Sequence, residues 1–209
     1  MNTTRQPEEM LSEDLLAADP MTQFAGWMSD AVRRGLHEPT AMVLSTVSAA
    51  DGRPRARTVL LKDHGPAGFT FYSNRTSRKG QDLAADPRAC VVFPWYPLSR
   101  QVTAEGSVQV MSMQDSEPYY HSRPRQSQIG AWASRQSRVI GSRAELEERA
   151  AELDRRWPPP DPVPMPDFWG GYLLVPDTVE FWQAGAFRLH DRLRYRRDGA
   201  AWVIERLSP

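Results

Sequence analysis

The stretch Ala41-Met-Val-Leu-Ser-Thr-Val-Ser48 decides the fold class, because it is rich in residues that favour β-strands. Asp51-Gly52 follows it and is a strong signal for a hairpin turn. A second strand is predicted from about Pro54 to Lys62, and a third from Gly68 to Asn74 after a turn at Gly65-Pro66. Together these segments predict an antiparallel meander.

Strand-like segments continue along the chain, at residues 89–95, 101–110, 168–176, 178–184, 187–194 and 201–206. Helices are predicted to begin at Asp19-Pro20 and at Ser77, and in two pieces between residues 114 and 156. The sum is a mainly β protein with a barrel-like sheet and flanking α-helices. Residues 1–18 are expected to form a flexible arm, and residues 19–209 a single domain that includes the stiff proline-rich connector at 157–166.

The composition excludes several function classes. Lys and Arg number 26, as do Asp and Glu, so the formal net charge of +0 argues against a general nucleic-acid or membrane-surface binder. Cys90 is the single cysteine, which excludes an intrachain disulfide, and no paired-cysteine or His-Glu-x-x-His metal motif is present. Without a long apolar run or a signal peptide, we expect a soluble cytoplasmic protein with no nucleic-acid or membrane partner.

Donors suited to phosphate recur at separate places. Arg78 and Lys79 occupy the first turn of a predicted helix, which is unfavourable against the helix dipole unless an anion binds there; the alternative is that both point to solvent. The other clusters are Arg57 with Lys62; Tyr119, Arg123 and Ser127; Gln136 and Ser137; and Arg188, His190 and Arg192. Because these clusters exceed the needs of one phosphate, we predict two phosphorylated ligands.

The last of these clusters lies in the segment from Glu180 to Arg192. In a regular strand over 187–194, Arg188, His190 and Arg192 would point to one face. Such a face suits an anionic or electron-rich ligand, but it would equally suit a solvated basic edge strand. The other phosphate-suited clusters favour the ligand.

Several longer motifs resemble one enzyme family, the FMN-dependent pyridoxamine 5′-phosphate oxidases. The motifs are Arg57-Thr-Val-Leu-Leu-Lys62, Phe71-Tyr-Ser-Asn74 with Ser77-Arg-Lys79, Phe93-Pro-Trp95, Arg100-Gln-Val102, His121-Ser-Arg-Pro-Arg125 with Ser127-Gln-Ile-Gly-Ala-Trp132, Arg135-Gln-Ser137, Phe168-Trp-Gly-Gly171, and Glu180-Phe-Trp-Gln183 with Arg188-Leu-His-Asp-Arg192. The resemblance implies an FMN-binding split β-barrel that forms a homodimer, with FMN sites at the subunit interface.

The resemblance also implies residue roles. Arg57, Arg78 and Lys79 would bind the FMN phosphate, joined by Gln136 and Ser137 of the partner subunit. The rest of FMN would contact Val59, Leu60, Lys62, Tyr72, Ser73, Gln101, Trp182 and Arg192. The substrate phosphate would contact Lys62, Tyr119, Arg123 and Ser127. Arg188 and His190 would lie over the substrate ring as the catalytic residues.

The implied reaction is oxidation of pyridoxamine 5′-phosphate, or pyridoxine 5′-phosphate, to pyridoxal 5′-phosphate, with O2 as acceptor and H2O2 as product. One alternative is a split-barrel flavin oxidase of a dihydrophenazine-like intermediate. Another is a non-catalytic binder of flavin or pyridoxal phosphate. The phosphate-suited residues from Tyr119 to Ser127 favour the vitamin B6 substrate.

Overall fold

The computed structural model describes residues 10–48 and 50–209. In this part of the chain, the strands are β1 (Ala41–Val47), β2 (Pro54–Leu60), β3 (Asp63–Gly65), β4 (Gly68–Asn74), β5 (Arg88–Trp95), β6 (Arg100–Val110), β7 (Trp169–Gln183), β8 (Asp191–Asp198) and β9 (Ala201–Arg206). The helices are α1 (Pro20–Arg33), α2 (Arg78–Ala85), α3 (Met113–Ser122), α4 (Arg125–Ala133) and α5 (Arg143–Arg156). None of the helices in these ranges is long and apolar enough to cross a membrane.

The strands form one antiparallel sheet in the order β2-β1-β5-β6-β7-β4-β3, with β8 paired to β7 and β9 paired to β8. The predicted hairpin of β1 and β2 is confirmed, with Ala41 opposite Leu60 and Val47 opposite Pro54. The predicted three-strand meander is wrong, because β4 pairs with β7 rather than with β2. Local turn signals predict hairpins, but they carry no information about a partner strand 100 residues away.

Strand β7 is the long element that holds the sheet together. Residues 168–176 and 178–184 were expected to be two strands, but Trp169–Gln183 is one continuous strand that pairs with β4, β6 and β8. Asp177, which lies between the two expected strands, is part of a β-bulge: Gly106 lies opposite Pro176 and Glu105 opposite Thr178. The bulge lets β7 change direction without ending.

Helix α1 packs against the sheet through its buried side chains. The Asp19 carboxylate accepts from the Met21 and Thr22 N–H groups, at 3.0 and 2.9 Å, and so caps the helix as predicted. Phe24 is fully buried, and its ring centroid lies 4.8 Å from those of both Phe69 and Phe93. Burying a side chain of this size stabilises the fold by about 1.5–3 kcal/mol.

The chain between residues 113 and 156 forms three helices where two were expected. The break between α3 and α4 falls at Arg123-Pro124. Proline disfavours the helical conformation in the residue before it, and Arg123 accordingly has φ −73° and ψ 149°. The break therefore places Arg123 at a helix end, with its backbone outside both helices.

The N-terminal segment packs against the last strands. Leu11 is buried, and the Glu13 carboxylate binds the Arg206 guanidinium at 2.8 Å. Arg206 also pairs with Asp191 at 2.6 Å. The arm expected to be flexible is thus packed from Leu11 onward, and residues 1–9 lie outside the described residues. This clasp of Glu13, Arg206 and Asp191 ties the N-terminal segment to the start of β8.

Candidate active site

A cavity of about 620 Å³ lies between β2, β4, α3 and α4. Its described walls carry the cations Lys62, Lys79 and Arg123 and no carboxylate, so it suits an anionic ligand. The lining residues are Thr58, Val59, Leu60, Lys62, Tyr72, Ser73, Asn74, Lys79, Tyr119, Arg123, Pro124, Ser127, Gly130, Ala131, Ser134, Gln136 and Trp169.

Lys79 forms the polar end of this cavity. Its ammonium donates to Gln136 Oε1 at 2.7 Å and to Ser73 Oγ at 3.1 Å. Burial, and then repulsion from the Arg57 guanidinium, lower the pKa of Lys79 to about 8. A half-buried cation held by neutral oxygens is stabilised by an added anion, so this end fits a phosphate group.

Arg57 and Arg78 lie beside the cavity rather than in its wall. Arg57 Nη1 donates to the Leu44 carbonyl at 3.1 Å and to Thr46 Oγ1 at 2.8 Å. Arg78 is exposed at the start of α2, where Ser77 caps the helix as predicted. Arg78 and Lys79 both interact electrostatically with Arg57, so the three cations form one group around the first turn of α2.

The other end of the cavity is an aromatic stack with a cation on it. The Tyr72 and Tyr119 rings lie 4.1 Å apart, and Trp169 stacks on Tyr72 at 5.3 Å. The Arg123 guanidinium lies 4.9 Å from the Trp169 ring centre. Arg123 Nη1 is buried and has no hydrogen-bond partner among the described residues. A buried N–H donor without a hydrogen-bond partner lowers the stability of the fold, and an anion bound beside it would offset that loss.

Lys62 reaches the cavity because β2 ends before it. Leu60 is the last residue of β2, Leu61 is buried, and the Lys62 N–H donates to the Thr70 carbonyl at 2.8 Å. Lys62 therefore lies between strands, while Arg57 faces α2 from within β2. A regular strand would point Arg57 and Lys62 to opposite faces, because one has an odd and the other an even number, and the two side chains do have different surroundings.

A second group of predicted site residues lies elsewhere on the sheet. Gln101, Trp182 and Arg192 face each other across β6, β7 and β8. The Trp182 ring is 4.7 Å from the His190 ring, and Arg192 forms a two-point ion pair with Glu180 at 2.8 and 3.0 Å. None of these residues lines the cavity of their own chain.

The segment that carries Arg188 and His190 is not a strand. Strand β8 begins only at Asp191, and Phe187 and Arg188 have left-handed φ values of 55° and 65°. A Cβ added to Gly185 would lie 1.8 Å from the Leu189 carbonyl oxygen, so only glycine fits this close approach. The predicted common face of Arg188, His190 and Arg192 is therefore wrong, because left-handed residues break the two-residue alternation.

Three features of the cavity were not predicted. Trp169 lies within a motif quoted above, yet no spacing pattern connects it to Arg123. Asn74 and Ser134 also line the wall. Gln136 was expected from a partner subunit, but Gln136 of the same chain bonds Lys79. Ser137, its neighbour, is exposed with a left-handed φ of 72° and lies outside the wall.

Family comparisons agree with this geometry. Residues 28–156 match the family model described as pyridoxamine 5′-phosphate oxidase. The chain belongs to this family. Residues 169–209 match a second model, the pyridoxine 5′-phosphate oxidase C-terminal dimerisation region.

The pyridoxine/pyridoxamine 5′-phosphate oxidase of Frankia alni is 56% identical over 203 residues, which are 95% of this chain and 84% of that protein. That of Acidothermus cellulolyticus is 53% identical, over 95% and 90%.

Solved structures share the fold. PhzG from Burkholderia lata, in complex with tetrahydrophenazine-1-carboxylic acid, superposes with a TM-score of 0.89 at 30% identity, over 97% of this chain and 98% of that one. A pyridoxamine 5′-phosphate oxidase-related, FMN-binding protein from Nostoc punctiforme superposes with a TM-score of 0.71 at 20% identity, over 93% and 100%. The mainly β split-barrel fold, the oxidoreductase class and FMN as cofactor are thus shown for this family member, and the matched dimerisation region supports a homodimer.

Proposed function

We propose that the protein oxidises pyridoxamine 5′-phosphate and pyridoxine 5′-phosphate to pyridoxal 5′-phosphate, with O2 as acceptor and H2O2 as product. The observation that carries this proposal is a cavity whose described walls carry three cations, Lys62, Lys79 and Arg123, and no carboxylate. FMN and the substrate each carry one phosphate. Three cations in one cavity fit two phosphorylated ligands better than one.

The residues at the Lys79 end suit the FMN phosphate. Lys79, Ser73 and Gln136 already bond one another, and this polar cluster presents an ammonium and an amide to an incoming anion. Val59, Leu60 and Tyr72 line the adjoining wall, where they would hold the flat ring system. When bound, FMN supplies the acceptor for the hydride that leaves the substrate carbon.

The Arg123 end suits the substrate phosphate. Tyr119 and Ser127 contribute hydroxyl groups to the same wall, and Lys62 contributes a second cation. Arg123 is held in place by packing on Trp169 and has one unpaired buried donor. A dianionic phosphate would gain charge-assisted hydrogen bonds from these groups, and it would fix the position of the substrate ring.

We further propose that the second subunit completes each site. The group of Gln101, Trp182, Arg192, Arg188 and His190 does not reach the cavity of its own chain. Within the matched dimerisation region, the apolar side chains Phe187 and Leu189 are 94% and 69% exposed, as expected of surface that a partner covers. The same segment of the partner would bring Arg188 and His190 over the substrate.

His190 has a defined orientation for such a role. Its Nδ1 accepts from the Gly185 N–H at 3.1 Å, so the neutral imidazole carries its proton on Nε2. Nε2 is then the nitrogen that donates to a substrate oxygen or nitrogen. Arg188 is exposed and has no carboxylate within ion-pair distance among the described residues, so its guanidinium is available to the substrate.

The test is turnover of purified protein that has been loaded with FMN. With pyridoxamine 5′-phosphate we expect pyridoxal 5′-phosphate and H2O2 in equal amounts. Pyridoxamine without the phosphate is the matched control, and its kcat/KM should be at least about a hundredfold lower, since it forgoes the charge-assisted contacts. Equal kcat/KM for the two amines, or binding without peroxide, would contradict the proposal.

The structural likeness to PhzG supports a second candidate, oxidation of a reduced phenazine carboxylate. PhzG binds tetrahydrophenazine-1-carboxylic acid, and a carboxylate is also a partner for Arg123. The two candidates separate in one competition experiment. If the B6 phosphate is the substrate, inorganic phosphate should inhibit turnover competitively, and a reduced phenazine carboxylate should be consumed no faster with the enzyme than without it.

A further inference from the structure

Asp82 is a buried carboxylate that lines no part of the cavity. It lies on α2 with 1% exposure, facing β1 and β2. Its Oδ1 accepts from Arg55 Nη1 at 3.1 Å, and its Oδ2 accepts from the Thr46 hydroxyl at 3.0 Å. Oδ2 also lies 3.8 Å from Arg57 Nη2. One carboxylate thus connects two arginines and a threonine behind the Lys79 end of the cavity.

Asp82 acts on Arg57 by two routes. The first is the direct ion pair with Nη2. The second runs through Thr46, whose single hydroxyl hydrogen is donated to Asp82. The oxygen lone pairs of Thr46 are then left to accept from Arg57 Nη1, at 2.8 Å. Asp82 therefore fixes the direction of the hydroxyl that holds Arg57.

The surrounding positive charges explain why Arg57 needs Asp82 to keep its position. Arg55, Arg57, Arg78 and Lys79 gather around the start of α2, and Asp82 is the buried carboxylate in contact with that group. Arg55 and Arg78 both disfavour the charge on Arg57, whereas Asp82 favours it. Without Asp82, repulsion would turn the long Arg57 side chain away from the other cations, toward solvent.

We infer that Asp82 is a positioning residue that holds the Arg57 guanidinium in place for the FMN phosphate. This inference rests on the proposed function, because it requires that the phosphate bind beside Lys79. It assigns a role to a side chain that touches neither cofactor nor substrate. The inference predicts that loss of the Asp82 charge weakens binding of the phosphate and leaves binding of the flavin ring unchanged.

The experiment compares FMN with riboflavin, which has the same ring and no phosphate. The full chain is stripped of flavin and titrated with each ligand, with quenching of flavin fluorescence as the readout. For Asp82→Asn, the dissociation constant for FMN should rise about tenfold, the loss expected from one charge-assisted hydrogen bond, while that for riboflavin stays the same. An equal loss for both flavins, or FMN binding as tight as in the wild type, would overturn the inference.

A double-mutant cycle then tests whether Asp82 acts through Arg57. In an Arg57→Ala background, Asp82→Asn should add less than a twofold change in FMN affinity, because the group it positions is absent. Additive losses would show that Asp82 acts on something else. Asp86→Asn is the matched control. Asp86 follows the same helix and pairs at 2.6 Å with exposed Arg88, so FMN affinity should not change.

A second variant tests the inference if Asp82→Asn does not fold. Thr46→Val removes the hydroxyl but keeps the pair of Asp82 with Arg55 at 3.1 Å. It should weaken FMN binding severalfold and leave riboflavin binding unchanged. If the wild-type chain binds FMN no better than riboflavin, the assigned phosphate site fails. If the wild type prefers FMN and both variants match it, only the role of Asp82 fails.

Discussion

The cavity and the segment from Ala184 to Arg192 carry the same kinds of residues and differ in how those residues are held. In the cavity, Lys79 and Arg123 are fixed by contacts within one chain. In the segment, Arg188 and its two apolar neighbours are exposed. Under the proposed function, this difference would correspond to a division of labour, in which one subunit provides a preformed binding cavity and the other provides exposed groups.

The largest expected effect is a loss of substrate binding when a cavity residue is changed. Arg123→Ala should weaken binding of the phosphorylated substrate by about 2–5 kcal/mol, because Arg123 is buried and pairs directly with the anion. FMN affinity should change little, since Lys79 is held by Ser73 and Gln136 and not by Arg123. The KM for pyridoxamine 5′-phosphate and a flavin titration give the two readouts.

Arg143→Ala is the control for this prediction. Arg143 is 87% exposed on α5, and its loss should leave both quantities unchanged. If Arg123→Ala leaves the substrate KM unaltered, the Arg123 end of the cavity does not bind the substrate phosphate.

The next largest effect on activity is expected in the exposed segment from Ala184 to Arg192. Arg188→Ala should lower kcat by about a hundredfold, a typical loss for one catalytic donor, while the FMN content stays near that of the wild type. Arg188→Lys keeps the charge at the same left-handed backbone position and should retain part of the activity. Parallel loss of FMN and turnover would mean that Arg188 supports the structure and not the reaction.

The smallest expected effect is a pH dependence of FMN affinity that arises at Lys79, in the cavity. The pKa of Lys79 is lowered to about 8, and a bound phosphate favours the charged form. Binding of FMN therefore takes up a proton above pH 8, and its affinity should fall as the pH rises, by at most about tenfold per unit. The phosphate itself is fully dianionic there, since its second pKa is about 6.

Flavin titrations between pH 7 and pH 9.5 measure this dependence. The Lys79→Met variant should bind FMN more weakly at pH 7 and show a flat profile. A profile that falls equally in the variant would assign the proton to another group.

Much of the cavity could be predicted because its residues follow local rules. Asp19 and Ser77 predict helix starts, and Asp51-Gly52 predicts the hairpin, so the helix that carries Lys79 and the strand that ends just before Lys62 were expected. The position of Arg123 also follows from Pro124. Grouping these residues in one site rested on a family resemblance, since spacing alone left a solvated cation as an alternative at Arg78 and Lys79.

The rest depends on contacts between distant parts of the chain. No local pattern pairs β4 with β7, and that pairing brings Trp169 next to Tyr72. The left-handed backbone of Phe187 and Arg188 is imposed by the turn as a whole, and no spacing pattern predicts it. Strand alternation could therefore not place Arg188 and His190 relative to Arg192.

The final residues of the sequence bear on the stability of the protein during handling. The Arg192 guanidinium donates to the Ser208 carbonyl at 3.1 Å, and the Leu207 N–H donates to the Arg192 carbonyl at 2.9 Å. An exopeptidase that removed Leu207 to Pro209 would take away both contacts without touching the core. Preparations trimmed at this end would lack both contacts to Arg192, so the intact mass should be checked before any flavin assay.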